Sequence, residues 1–117
     1  PGPDVTYEAM EGVWRLEEWN GEELIDGAYL FIEFSTDKHF EMWDNLGSMY
    51  PQLRTGRYSI SQNDNNEFML TGTYDNGVGD WAKEYEVIMP KGGNTMTWQS
   101  KEESMSFSRV DEIPEFN

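Results

Sequence analysis

Apolar and polar residues alternate at period two along most of the chain, in short segments closed by turn-forming dipeptides. That pattern belongs to strands with one buried face and one wet face. Eight strands are predicted: Gly12–Trp19, Ala28–Phe34, His39–Trp43, Arg54–Ser61, Glu67–Tyr74, Trp81–Met89, Thr95–Ser100 and Ser104–Val110. Asn20-Gly21 closes the first, and Ser35-Thr36-Asp37-Lys38 turns the second into the third. The longest connections are "DNLGSMYPQL" and "DNGVGD". Thr6–Met10 reads as a helical turn, within an N-terminal segment 1–11 that precedes a barrel domain 12–110 and a tail 111–117.

Because every connection is short, each strand pairs most simply with the next, antiparallel, as a meander. Eight twisted strands with one apolar face close into an up-and-down barrel, so the expected fold is all-β, an eight-stranded antiparallel barrel. A two-sheet sandwich is the alternative, and it needs a longer crossover than the sequence shows.

Parity then assigns the faces. Trp14, Leu16 and Glu18 point inward from the first strand, Leu30, Ile32 and Phe34 from the second, and Phe40 and Met42 from the third. Gly56, Tyr58 and Ile60 follow, then Phe68, Leu70, Gly72 and Tyr74, then Trp81, Lys83, Tyr85, Val87 and Met89. Met96, Trp98, Met105, Phe107 and Arg109 complete the inner set. The opposite parity carries mostly Glu, Arg, Thr, Gln and Ser.

If the barrel closes, the last inward residue of the final strand, Arg109, lies beside the first inward residue of the first, Trp14. A guanidinium over an indole face is favourable by about 0.5 to 2 kcal/mol and would seal one end. Gly12-x-Trp14 on the first strand with an inward Arg109 on the last resembles the structural signature of lipocalin and calycin barrels. The ordered motifs "WRLEEWNGEEL", "TGRYSIS", "LTGTYDNG", "WAKEYEV", "NTMTWQSK" and "SFSRV" resemble, across nearly the whole chain, the lipocalin-like domain proteins of Bacteroides-type bacteria. The resemblance implies an exported domain of the cell envelope, an outer-membrane lipoprotein, periplasmic or secreted, often lipid-anchored through a cysteine preceding the mature chain. It implies no catalytic residue, and no cofactor is expected.

Charge changes the picture by exclusion. A formal net charge of −15 and a pI near 4.1 repel nucleic acid and anionic bilayers. There is no cysteine, hence neither disulfide nor thiol chemistry, and no stretch has the roughly 18 apolar residues of a membrane span. The sole histidine, His39, falls on the outer face without a second histidine or a cysteine to make a metal cluster or nucleophilic pair. "NDNNE" and "DNGVGD" lack the spacing of an EF-hand loop and read as ordinary turns, so no metal site is expected.

With Trp14 at the closed end, the two longest connections gather at the other, where a mouth takes a rim or lid. The candidate ligand-binding residues near that mouth are Glu18, Leu30, Met42, Tyr58, Tyr74, Trp81, Lys83, Trp98 and Met105, with Met49 and Tyr50 as lid residues. Glu18 and Lys83 either pair with one another or meet a polar ligand end. Lys83 and Arg54 are the cations that an anionic ligand would need. Strands of this length make a barrel about 18 Å tall, so the interior is either a shallow cup or is filled by its own side chains.

The expected function is non-enzymatic binding or sequestration of a small hydrophobic molecule. The alternative is a packed barrel acting as an interaction module through an outer aromatic patch of Trp19, Tyr29, Phe31 and Trp43. That patch is covered by the N-terminal segment through Val5, Tyr7 and Met10, or serves a partner, which leaves the protein a monomer or a weak homodimer.

Overall fold

Two residues in left-handed conformation, Asn20 (φ 54°) and Gly21 (φ 82°), make the first hairpin turn, the geometry for which Asn-Gly is the favoured pair. The computed structural model describes residues 4–116. Its strands are β1 (Gly12–Trp19), β2 (Glu22–Glu23), β3 (Leu30–Phe34), β4 (His39–Asp44), β5 (Gln52–Gln62), β6 (Phe68–Tyr74), β7 (Gly79–Asp80), β8 (Tyr85–Ile88), β9 (Thr95–Gln99) and β10 (Ser104–Val110). A single helical turn, α1 (Tyr7–Met10), precedes them, and the Thr6 hydroxyl accepts the Ala9 N–H at 3.0 Å to cap it.

Eight strands form a continuous antiparallel ring, β1-β3-β4-β5-β6-β8-β9-β10, which β10 closes by pairing with β1. The expected meander barrel is therefore the observed fold. The short β2 and β7 are additions at the mouth, pairing with the ends of β1 and β6 respectively. The sixth predicted strand is shortened: residues 81–84 leave the ladder, although the Trp81 N–H still donates to the Gly72 carbonyl at 2.8 Å. The fourth is extended to Gln52–Gln62, because its neighbours β4 and β6 supply partners along its whole length.

Trp14, Ile32, Phe34, Leu70, Met96 and Phe107 are fully buried and fill the barrel toward its closed end. Met10, also fully buried, and Val5 join the same core from the N-terminal segment. Tyr7 completes this plug: its ring lies 5.5 Å from that of Tyr58, and its hydroxyl accepts the Ile60 N–H at 3.1 Å. The N-terminal segment thus closes the barrel floor and does not cover the outer aromatic patch.

A different segment covers that patch. Phe116, in the C-terminal tail, stacks on Tyr29 (4.5 Å, 3° between planes) and lies 6.0 Å from Phe31 and 5.6 Å from Trp43. Among the described residues, no helix is long and apolar enough to cross a membrane.

Candidate functional site

The closed end is fixed by the β10–β1 seam. Trp14 and Arg109 are directly paired, and the guanidinium lies 4.2 Å above the indole. Arg109 also donates to the carbonyls of Glu11 (2.5 Å), Ala9 (2.9 Å) and Gly93 (3.1 Å), while the Trp14 N–H donates to Met10 at 2.9 Å. One cation thereby ties the N-terminal segment and the β8–β9 turn to the floor. Gly12 permits this approach: it sits at φ 117°, and a Cβ there would stand 2.6 Å from the Arg109 side chain.

Above this floor a cavity of about 320 Å³ opens at the mouth, near the small end of the roughly 300 to 1,000 Å³ range of ligand pockets. Of the predicted ligand residues, Leu30, Met42, Tyr74, Trp81, Trp98 and Met105 line it. Ile32 and Phe107 form part of its lower wall, and Trp19, Tyr85, Leu46, Gly47 and Ala82 part of its rim.

Five predicted residues lie elsewhere. Tyr58 is buried low in the barrel, where its hydroxyl donates to the Ser35 carbonyl at 2.8 Å. Met49 and Tyr50 are almost wholly exposed and away from the cavity; the β4–β5 loop reaches it through Leu46 and Gly47 instead. Lys83 turns to Glu102 and Glu103, at 3.4 Å each, so the pairing with Glu18 does not form.

Glu18 is displaced by a β-bulge. Leu16 pairs with Phe107, but Glu18 pairs with Ser106, so one residue of β1, Glu17, is left over and alternation slips by one. Glu17 stays outward, accepting hydrogen bonds from Ser108 and from Arg15 (2.8 Å). Glu18 follows it into solvent and Trp19, opposite Met105, moves inward to the cavity rim. The outer patch accordingly consists of Tyr29, Phe31 and Trp43 without Trp19.

Two polar arrangements shape the mouth. Glu103 accepts the Trp19 N–H at 3.1 Å and the Tyr85 hydroxyl at 2.7 Å, so one carboxylate holds two rim aromatics. Burial, followed by this hydrogen bond, drives the Tyr85 phenol well above its ordinary range. Across the cavity, Asp44 extends the inward parity of β4 by one residue beyond the predicted strand and is only 3% exposed. Its carboxylate is paired with Arg54 and accepts the Leu46 N–H at 3.1 Å; Arg54 also donates to Gln52 at 2.9 Å. Tyr74, beside this pair, has its phenol raised chiefly by burial. The alternation of β4 places Asp44 inside, and the register of β5 on β4 brings Arg54 to it.

Of the five indole N–H groups, four have acceptors: Met10 for Trp14, Glu103 for Trp19, Glu41 for Trp43 and the Met96 sulfur for Trp98. That of Trp81 is buried without one, a cost of about 1 to 3 kcal/mol. Its ring is wedged over Gly72, where a Cβ would stand 2.5 Å from it, and stacks on Trp98 at 5.7 Å. Steric fit against a bare glycine, rather than hydrogen bonding, holds Trp81 inside.

His39 lies exposed on the outer face with its Nδ1 3.1 Å from Asp37. Among the described residues no group of three or more His, Asp and Glu side chains is gathered in a way that would hold a metal.

No curated protein and no solved structure matches the chain significantly. The family model for the lipocalin-like domain matches residues 10–98, a span running from the buried Met10 to the cavity-lining Trp98. With that match, the closed eight-stranded barrel and the Trp14–Arg109 seam, the chain belongs to the lipocalin-like domain family.

Proposed function

We propose that this protein binds a small, largely apolar molecule non-covalently in the mouth cavity, sequestering it rather than converting it. The observation that carries this reading is the 320 Å³ space left above a tightly filled floor, walled by aromatic and aliphatic side chains with polar groups gathered at its lip. Such a distribution suits recognition by burial, with a few polar contacts for orientation. The lipocalin-like family match supports the same reading. Native mass spectrometry of protein purified from its own cells, before and after solvent extraction, tests it. A bound mass that is lost on extraction and returns with the extract is expected; a protein that never carries or regains any mass overturns the reading.

We further infer, on the family resemblance, that the protein works in the cell envelope or outside the cell. Fractionation of the source cells with an antibody against the barrel checks this, and recovery from the cytosol alone would refute it.

A second reading is favoured by one observation: Tyr29, Phe31 and Trp43 form an aromatic face that already accepts an aromatic side chain, Phe116. A partner, or a second copy, would use this face by displacing the tail.

A further inference from the structure

What the cavity selects can be read one step further, given that it binds a ligand at all. Among the described residues, Asp44 is the one buried polar residue, and it borders this apolar cup together with Arg54. A carboxylate offers about four lone-pair sites and a guanidinium five N–H donors. The contacts to Arg54, Leu46 and Gln52 use only some of each. The pair therefore brings acceptor and donor capacity side by side to one lip while its two charges cancel.

The opposite wall is aromatic. Trp81 and Trp98 stack with 28° between their planes, and Tyr85 lies 5.5 Å from Trp98. Below them, Trp14, Phe34 and Met96 fill the barrel, so the space is broad and shallow with no channel for an extended chain. We propose that the cavity takes a compact, uncharged heteroaromatic molecule, its ring packed against the Trp81–Trp98 wall, whose edge carries a hydrogen-bond donor beside an acceptor. Asp44 accepts from the first and Arg54 donates to the second. An alkyl carboxylate suits the site poorly, since its charge meets Asp44 and a net charge of −15, and its chain finds no depth. A pure hydrocarbon ring fits the wall but covers the polar lip without replacing the water there.

Three probes separate these possibilities: 2-quinolone, which is neutral with an N–H beside a carbonyl; naphthalene, of the same outline without polar atoms; and dodecanoate. Their affinities are measured by quenching of intrinsic tryptophan fluorescence in the wild-type chain and in the D44N and R54Q variants. The expected result is a 2-quinolone to naphthalene affinity ratio that falls about tenfold in each variant, with dodecanoate weakest. An unchanged ratio in the folded variants, or dodecanoate binding tightest, overturns this inference and leaves the binding function standing. Failure of 2-quinolone to bind the wild type overturns this inference, whereas the binding function falls only with the native mass spectrum. Because D44N removes a buried charge and could unfold the chain, R54Q alone and the Leu46 amide resonance provide independent readouts. That resonance is expected to shift further with 2-quinolone, which competes for its Asp44 acceptor, than with naphthalene at equal saturation, and equal shifts would overturn the proposal.

Discussion

Arg109 stands opposite Trp14 across the seam that closes the barrel, its guanidinium 4.2 Å above the indole and bonded to three backbone carbonyls. The last strand, the first strand, the N-terminal plug and the β8–β9 turn all meet at this one side chain. Arg109→Ala should destabilise the fold by about 2 to 4 kcal/mol, since it removes the cation–π contact and leaves those carbonyls without their donor. Arg109→Lys should recover part of the loss, because an ammonium keeps the charge but cannot span the same three acceptors. Urea unfolding measures both, and equal losses in the two variants would refute the account.

Trp81→Phe and Trp14→Phe remove the same chemical group from opposite situations. The first relieves a buried N–H that has no acceptor but also gives up part of the ring packing on Gly72 and Trp98, two opposed effects of similar size, and should change stability by less than about 1 kcal/mol. The second strands the Met10 carbonyl and weakens the contact with Arg109, and should cost about 2 to 4 kcal/mol. Thermal or urea unfolding of the two variants side by side checks the contrast.

Alkaline pH should weaken the fold through Tyr58. Burial, with Tyr7 as the next contributor, pushes its phenol from 10.0 up to about 12. The folded-state value lies above the unfolded one, so its contribution is complete below about pH 10 and is lost as the pH climbs through 12. Tyr74 and Tyr85 are displaced in the same direction, so Tyr58→Phe should flatten the decline without abolishing it. Urea midpoints followed across this range, alongside phenolate absorbance, test the claim; a midpoint that does not move counts against it.

Phe116→Asp should uncover Tyr29, Phe31 and Trp43. The expected outcome is stronger binding of a hydrophobic dye and a shift toward dimer in sedimentation, with about 1 to 2 kcal/mol of stability lost. Adding Trp43→Asp should suppress the self-association. A monomer with unchanged dye binding would show that the tail does not guard this face.

Glu103→Ala should loosen the mouth without collapsing the barrel, because Trp19 and Tyr85 lose a common acceptor while the core below is untouched. Fluorescence quenching by a small neutral quencher should rise and stability should drop by about 1 to 2 kcal/mol. Glu103→Gln should recover part of this, since its carbonyl can still accept one of the two bonds.

Much of the mouth is legible in the sequence, and the exceptions have physical causes. Leu30, Met42, Tyr74, Trp98 and Met105 follow from alternation, since each lies on a strand whose register runs unbroken to the rim, while Trp81 keeps its inward parity beside Gly72 although residues 81–84 leave the ladder. Glu18 and Trp19 exchange faces because a bulge needs only one extra residue, which leaves no mark in an alternating pattern of Trp, Arg, Leu and Glu. Met49 and Tyr50 show the limit for loops: apolar character alone does not say which side chains of an irregular segment turn inward.

The eight ring strands, their meander order and the buried parity up to the bulge in β1 are written in the sequence, because each is set by local alternation or by short connections. Three contacts come from the closed fold alone: Val5, Tyr7 and Met10 sealing the floor, Phe116 covering the outer patch, and Asp44 meeting Arg54 at the lip. Those contacts join segments whose separation carries no periodic signal, and they form only once the curvature of the closed sheet has set which surfaces face each other.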